Sequence, residues 1–299
     1  MTFSLVAADP ETGEVGVAVQ SKYFAVGNVV PWAKSGVGAV ATQAAGVAAF
    51  GPRILALLEQ GRAPDEALAE TLADDPDWET RQVGVVSAAG EAIALTGERC
   101  QPWAGSIVRE NFAAQGNLLA GEAVVEEMAR AFEEAEGPLA ERLVAALEAG
   151  QAAGGDRRGQ QSAAVIVERA GAAAESREAV DRVVDLRVDD HPEPIMELRR
   201  LWEIQQRWDA LRYASGFYRA LDYGSGIRIL AEAAEKYPDD ATILYDLACY
   251  ESMDGRRDDA IAHVARAIEL EPGYREAAAV DEDFATLRHD ASFRLLTDG

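Results

Sequence analysis

The residue whose position most invites chemistry is Thr2. A small second residue permits removal of Met1, and a threonine left at the terminus carries a hydroxyl and a free α-amine together. That amine, with a reference pKa of about 7.7–8.0, accepts the hydroxyl proton at neutral pH, so attack on a carbonyl needs no histidine. The chain has 25 arginines and only three lysines, and two of these, Lys22 and Lys34, fall soon after the opening segments. An ammonium beside the terminal amine lowers its pKa and favours the threonine oxyanion, a role arginine fills less adaptably. Thr2, tuned by Lys34 or Lys22, is the expected catalytic group.

Polar residues at junctions between loops and strands are the next candidates. Gln115 and Asn117, flanking Gly116, carry amides able to donate to a developing oxyanion, as do Gln43 and the backbone around Gly46. The run Gly154-Gly155-Asp156-Arg157-Arg158-Gly159-Gln160-Gln161-Ser162 offers Arg157 or Arg158 to a substrate carboxylate and Asp156 and Ser162 to the terminal amine. The same residues equally suit a helix cap and a cross-linked loop. The run lacks the Gly-Lys-Ser/Thr ending of a phosphate-binding loop, so a nucleotide is not expected. With histidines only at 191, 263 and 289, a Ser-His-Asp triad in the first half would depend on His191. Asp189-Asp190-His191 reads as a helix cap and loop anchor, and Trp32 and Trp103 suit packing or substrate stacking alike. Cys100 and Cys249 have no partners at metal-ligand spacing, so neither a metal nor a cofactor is expected.

The elements that must hold these residues read as blocks. Thr2 to Ala8 and Val15 to Val19 form a hairpin around Asp9-Pro10-Glu11-Thr12-Gly13, and a third strand runs from Val37 to Gln43. Two helices follow, one from Pro52 to Gly61 and one from Pro64 to Ala73. Strands return at Arg81 to Ser87, Glu91 to Thr96 and Phe112 to Gln115. Amphipathic helices span Gly121 to Glu134 and Pro138 to Ala149, and strands Ser162 to Glu168 and Arg182 to Val188 complete the block. Hairpin-linked strands alternating with helix pairs point to an α+β fold of antiparallel sheets covered by helices.

At Asp189-Asp190-His191-Pro192-Glu193-Pro194 the composition changes, and everything beyond reads as helix, which sets expected domains of 1–191 and 192–299. In the second domain Pro238 and Pro272 lie 34 residues apart, and the same offset relates Ala233 to Ala267, Ala214 to Ala248 and Gly226 to Ala260. A 34-residue period, and the segment ATILYDLACYESMDGRRDDAIAHVARAIELEP in particular, resembles the tetratricopeptide repeat, with Glu251 where an aromatic is usual. Such repeats need about three units to cover their faces, so this short array is expected to lean on the first domain or on another subunit, with a homo-oligomer and a protein or peptide partner of the repeat as the expected associations.

The net charge is −24, with acidic excess in both halves, which argues against nucleic acid and anionic membrane surfaces as partners. No basic leader and no long apolar stretch is evident, and a cytoplasmic location is expected.

The phrases TFSLVAADPETGEVGVAVQSK, VGNVVPWAKSGVGAVATQ, RQVGVV, AAQGNLLAG, GGDRRGQQSAAVIV and DLRVDDHPEPIMELRRL resemble the family called domain of unknown function 1028, over about residues 2 to 200. That family is grouped with the N-terminal nucleophile hydrolases. The resemblance implies a four-layer αββα sandwich with the nucleophile first on the first strand, followed here by an all-α tetratricopeptide-like domain. In the proteasome branch a lysine stands 32 residues after the threonine, the spacing from Thr2 to Lys34. An acidic residue usual there at the end of the second strand is replaced by Gln20 and Ser21. The expected function is an amidohydrolase acting on a small amide or peptide; the alternative is a non-catalytic binding or scaffold protein with a peptide-binding or dimerising repeat domain.

Overall fold

The computed structural model describes residues 2–174 and 180–298. The chain forms two compact units, Met1–Trp202 and Glu203–Gly299. In the first unit the strands β1 (Thr2–Asp9), β2 (Glu14–Ser21), β7 (Ala104–Arg109), β8 (Phe112–Asn117), β9 (Ser162–Arg169) and β10 (Arg182–Val188) form one sheet in the order β10-β9-β2-β1-β8-β7. The strands β3 (Pro31–Lys34), β4 (Gly38–Ala44), β5 (Arg81–Ser87) and β6 (Ala92–Thr96) form a second, in that order. Every pairing between these strands is antiparallel.

The alternation along β1 explains how the layers stack. Phe3, Leu5 and Ala7 face helices α3 (Ala123–Glu134) and α4 (Leu139–Ala152), meeting Met128, Phe132, Leu143 and Leu147. Val6 and Ala8 face the second sheet, joining Val15, Val17, Val19, Ala39, Ala41 and Val86. These small side chains let the two sheets approach closely, at about 10 Å. On the far face of the second sheet, Val40, Val83 and Val85 pack on Ile54, Leu57, Leu58 and Leu68 from α1 (Phe50–Glu59) and α2 (Pro64–Leu72). Each buried valine or leucine contributes about 1.5–3 kcal/mol relative to exposure. β1 is central in its sheet and buried on both faces, so Thr2 starts from a rigid support.

The expected strands and helix pairs are present, and two strands were not expected, β3 and β7. Both lie at sheet edges, and β7 is half exposed along its length, so neither carries the burial alternation that makes a strand legible. The expected boundary at His191 differs from the one observed. Helix α5 (Pro194–Arg219) places Ile195, Leu198 and Trp202 in the first unit's core, and Arg199 bonds Glu148 at 2.8 Å. The Pro192–Pro194 break marks where a helix starts, whereas the core ends two turns later.

The second unit is helical: the remainder of α5, then α6 (Tyr223–Lys236), α7 (Ala241–Met253), α8 (Arg257–Leu270), α9 (Tyr274–Val280) and α10 (Ala291–Thr297). Residues related by the 34-residue offset, Ala214 and Ala248, Gly226 and Ala260, Ala233 and Ala267, are buried where helices meet. At Gly226 a β-carbon would stand 2.3 Å from the Tyr250 ring, so the close approach of α6 to α7 requires glycine there. Glu251 is buried and bonds His263 Nδ1 at 2.7 Å. Among the described residues, no helix is long and apolar enough to cross a membrane.

Candidate functional site

Thr2 lies at the start of β1, paired across the sheet with Ser21 on one side and Asn117 on the other. Directly opposite residues share a face, so the Thr2 and Ser21 hydroxyls meet, Oγ1 to Oγ, at 3.0 Å. The same alternation turns Gln20 to the helix-covered face, where both its amide atoms are buried without a partner among the described residues. Thr2 is 5% exposed and opens onto a pocket of about 220 Å³. Its wall is made by Ser21, Tyr23, Val26, Val29, Val30, Thr42, Gln43, Ala44, Gly46 and Ala48, with Arg158 also lining it.

Beneath Thr2 the sheets enclose a layer of uncharged polar groups. Gln82 is its hub: its Oε1 accepts from Gln43 Nε2 and from Asn117 Nδ2, each at 2.9 Å, and its Nε2 donates to the Gly116 carbonyl at 2.7 Å. Ser4 donates to Gln43 Oε1 at 2.8 Å and accepts from Gln115 Nε2 at 2.7 Å. Gln115 fits because residue 84 is glycine; a β-carbon there would lie 2.3 Å from the Gln115 amide. Gln43 and Asn117 also approach the Thr2 carbonyl, at 3.4 and 3.5 Å. The three expected oxyanion donors are thus committed to supporting β1, while the loop at Gly46 reaches the pocket through its backbone. Asn117 also borders a separate hollow beside Cys100. Ser4 was legible as the residue two along from Thr2 on the same strand face; Gln82 lay within the RQVGVV phrase with no local sign of its partners.

The other expected residues divide by geometry. Lys34 does not approach Thr2. It pairs with Gly38, at the opposite end of β4 from Gln43 and about 16 Å away along the strand, and its ammonium meets Glu59 at 2.6 Å in solvent. The 32-residue spacing therefore does not set its place, because β3 turns the side chain out at the sheet edge. Lys22 bonds the Gln160 carbonyl through Nζ at 3.0 Å. Asp156 and Ser162 are near the pocket but engaged elsewhere than on the terminal amine. Asp156 accepts from the Lys22 and Arg158 amides at 3.1 and 2.9 Å, and its carboxylate meets the Arg158 guanidinium at 3.2 Å. Ser162 Oγ accepts from the Val26 amide at 3.0 Å and donates to the Tyr23 carbonyl at 2.5 Å, fastening the loop that walls the pocket.

Arg157 is exposed, and it is Arg158 that lines the cavity. Gln161 serves as an anchor, bonding Asp190 at 3.1 Å through its amide and receiving the His191 backbone amide at 2.8 Å. His191 Nδ1 accepts from the Glu193 amide at 3.1 Å, a cap at the start of α5. Trp32 packs against the α1–α2 core and Trp103 against the α3–α4 core.

The Ala44–Gly46 segment is held from behind. Arg81 donates to the Ala45 carbonyl and pairs with Asp75 at 2.8 Å, and the guanidinium keeps the Asp75 carboxyl below its ordinary range. Cys100 donates to the Arg81 carbonyl, and burial raises its thiol above the usual value, which makes it a poor nucleophile.

A model of the family described as "Family of unknown function (DUF1028)" matches residues 2–198. The chain belongs to that family. It is also similar, at 33% identity and a TM-score of 0.61, to the crystal structure of protein SPO2555 from Silicibacter pomeroyi, itself attributed to DUF1028. The match covers 68% of this chain and 84% of that one. No curated protein matches. The family match spans nearly all of the layered unit that carries Thr2.

Proposed function

We propose that this DUF1028 protein is an N-terminal nucleophile amidohydrolase with Thr2 as the attacking residue once Met1 is removed; Met1 lies outside the described residues. The observation that carries the reading is Thr2 Oγ1 at the head of a doubly buried strand, bonded to Ser21 and opening onto a pocket. Among the described residues lining that pocket there is no histidine, lysine or carboxylate to act as base. The α-amine released with Met1 would be the base within reach. The order helices, sheet, sheet, helices is that of the N-terminal nucleophile hydrolases, which favours the same reading. In the reaction, Oγ1 attacks the amide carbon as the amine takes the hydroxyl proton. The amine then protonates the departing nitrogen, leaving an ester on Thr2, and water cleaves the ester to free the acid and regenerate the hydroxyl. Backbone amides near Gly46 are the proposed oxyanion donors.

A second reading, a binding or scaffold protein, is favoured by one specific observation: Lys34 is spent on Glu59 rather than on tuning the site. In either case the helical unit is read as a short tetratricopeptide-like array, supported by the buried 34-residue offset. The test is the intact mass of untagged protein before and after a β-lactone electrophile, with Thr2→Ala as control. Loss of Met1 and one adduct absent from the variant supports the hydrolase; a free Thr2 that takes no adduct sinks it.

A further inference from the structure

We propose that the cavity at Thr2 is an acyl pocket, and that its substrate is the amide of a short aliphatic acid. The proposal rests on Thr2 as the acting residue only for where the carbonyl goes; the aliphatic wall stands on geometry of its own. Val26, Val29 and Val30 follow one another at the i, i+3, i+4 spacing of a helical turn, closed by the Val29 and Val30 amides on the Val26 carbonyl at 3.2 and 3.1 Å. Their side chains therefore share a face, and all three line the pocket. Val26 and Val30 are buried and belong to the core between the sheets, so this wall continues the rigid interior. Ala44 and Ala48, from the end of β4 and the loop beyond it, add small apolar groups to the lining. The Val30 carbonyl accepts from the Thr42 amide at 3.1 Å, and the neighbouring Gln43 reaches the Thr2 carbonyl at 3.4 Å, which sets the valine turn beside the reacting end. Among the described residues lining the pocket there is no carboxylate, and Arg158 has its Nε and Nη2 engaged on Asp156.

Both parts of this wall are pinned. Ala25, just before the valine turn, and Ala44 hold left-handed backbone, with φ of 54° and 67°. A β-carbon disfavours that conformation, which persists only where the surroundings fix it. The fixing bonds are the Ala25 amide to the Asp189 carbonyl at 2.9 Å, the Val26 amide to Ser162 Oγ at 3.0 Å and the Ala45 amide to the Thr80 carbonyl at 3.2 Å. A wall set in advance loses little freedom when a chain enters. Size sets the other limit: the pocket measures about 220 Å³, whereas a dry cavity of about 150 Å³ takes benzene and drug-sized ligands occupy about 300–1,000 Å³. That room suits an acyl chain of about four to six carbons. The reaction decides which side of the amide enters. When Oγ1 displaces the amine, the acyl group stays on Thr2 as an ester until water cleaves it. The group retained through both steps is the one an enclosed wall serves, while the amine leaves and water arrives by the open side, where Tyr23 is 57% exposed.

The test measures binding apart from turnover. Full-length Thr2→Ala protein is titrated with N-methylacetamide, N-methylpentanamide and N-methyloctanamide, followed by amide chemical-shift changes, and the titrations are repeated with Ala48→Leu or Val30→Ala added. The pentanamide is expected to bind about ten-fold or more tighter than the acetamide, with no further gain for the octanamide. Ala48→Leu, which fills the pocket, should cut that preference below about three-fold, and Val30→Ala, which enlarges it, should make the octanamide the best binder. Thermal melts report whether each variant folds; Ala48 is partly exposed, so Ala48→Leu carries the test if Val30→Ala does not fold. No binding of any probe, no rise from acetamide to pentanamide, a rise that continues unbroken to octanamide, or a preference that survives Ala48→Leu overturns the proposal. A pentanamide preference in a protein whose Thr2 takes no β-lactone adduct keeps the acyl pocket and removes the hydrolase. An adduct on Thr2 without that preference keeps the hydrolase and removes the acyl pocket.

Discussion

The two units bury polar groups in opposite ways. Between the sheets, Ser4, Gln43, Gln82, Gln115 and Asn117 are enclosed without any group that titrates near neutral pH, and hydrogen bonds among themselves and to backbone carbonyls compensate most of the burial, Gln115 Oε1 alone of their side-chain atoms being buried without a partner among the described residues. In the helical unit, the buried Cys249 lies beside Asp281 and Asp283, while Tyr245 and Tyr218 donate to those same carboxylates. There, burial and neighbouring charge raise the Cys249 thiol and the Tyr245 phenol, and burial followed by the Asp283 and Asp281 charges lifts Asp246 to about 6. The strongest pKa displacements thus fall in the helical unit and not among the residues that line the pocket at Thr2. Perturbed titration marks a functional site only when a cavity and a reactive group accompany it. Here it marks carboxylates crowded by the packing of helices, whereas the pocket at Thr2 stands on a layer of neutral amides.

The largest expected effect tests the neutral site. Thr2→Ala should lower adduct formation or turnover by about 10³-fold or more while costing under about 1 kcal/mol of stability, since one hydroxyl contact is lost; activity assays beside thermal melts check this. Gln82→Leu should be the reverse, destabilising by about 2–4 kcal/mol because the Gln43 and Asn117 donors lose their acceptor in a dry interface. Urea unfolding measures it, and a loss under about 0.5 kcal/mol would mean the amide layer re-pairs without its hub.

The titrating cluster should respond to pH instead. The folded Asp246 carboxyl titrates near 6, above the roughly 3.9 of an unfolded chain, so its contribution erodes as pH climbs from about 4 to about 6 and stays lost above. Asp246→Asn should then gain about 1–3 kcal/mol at pH 8 and nothing near pH 4, read from melts at both. The smallest effect is expected for Asp75→Asn behind the pocket loop. The Asp75 carboxyl is held below its usual range, so its contribution is present above about pH 4 and lost as pH falls through the lowered value. The variant should be less stable than the parent at pH 6 and converge with it in acid.

Some of this was set locally. The alternation Phe3-Ser4-Leu5-Val6, the turn ending in Gly13, and amphipathic helices carrying Leu143, Leu147, Ile54 and Leu58 fix which faces must be covered, because period and burial are properties of neighbouring residues. The same holds for the 34-residue offset and for Thr2 at the head of a strand. What the tertiary structure decided was partnership. Lys34 has the spacing of a tuning lysine but sits at an edge strand with Glu59; Arg158 rather than Arg157 reaches the pocket; Gln82 becomes the hub of amides 35 or more residues away. Such contacts join segments distant in sequence, and their register depends on how two sheets dock and where a loop is pinned, for which no short-range pattern carries a signal. The sequence determined that Thr2 heads a buried strand; only the packing of one sheet on the other decided which groups surround it.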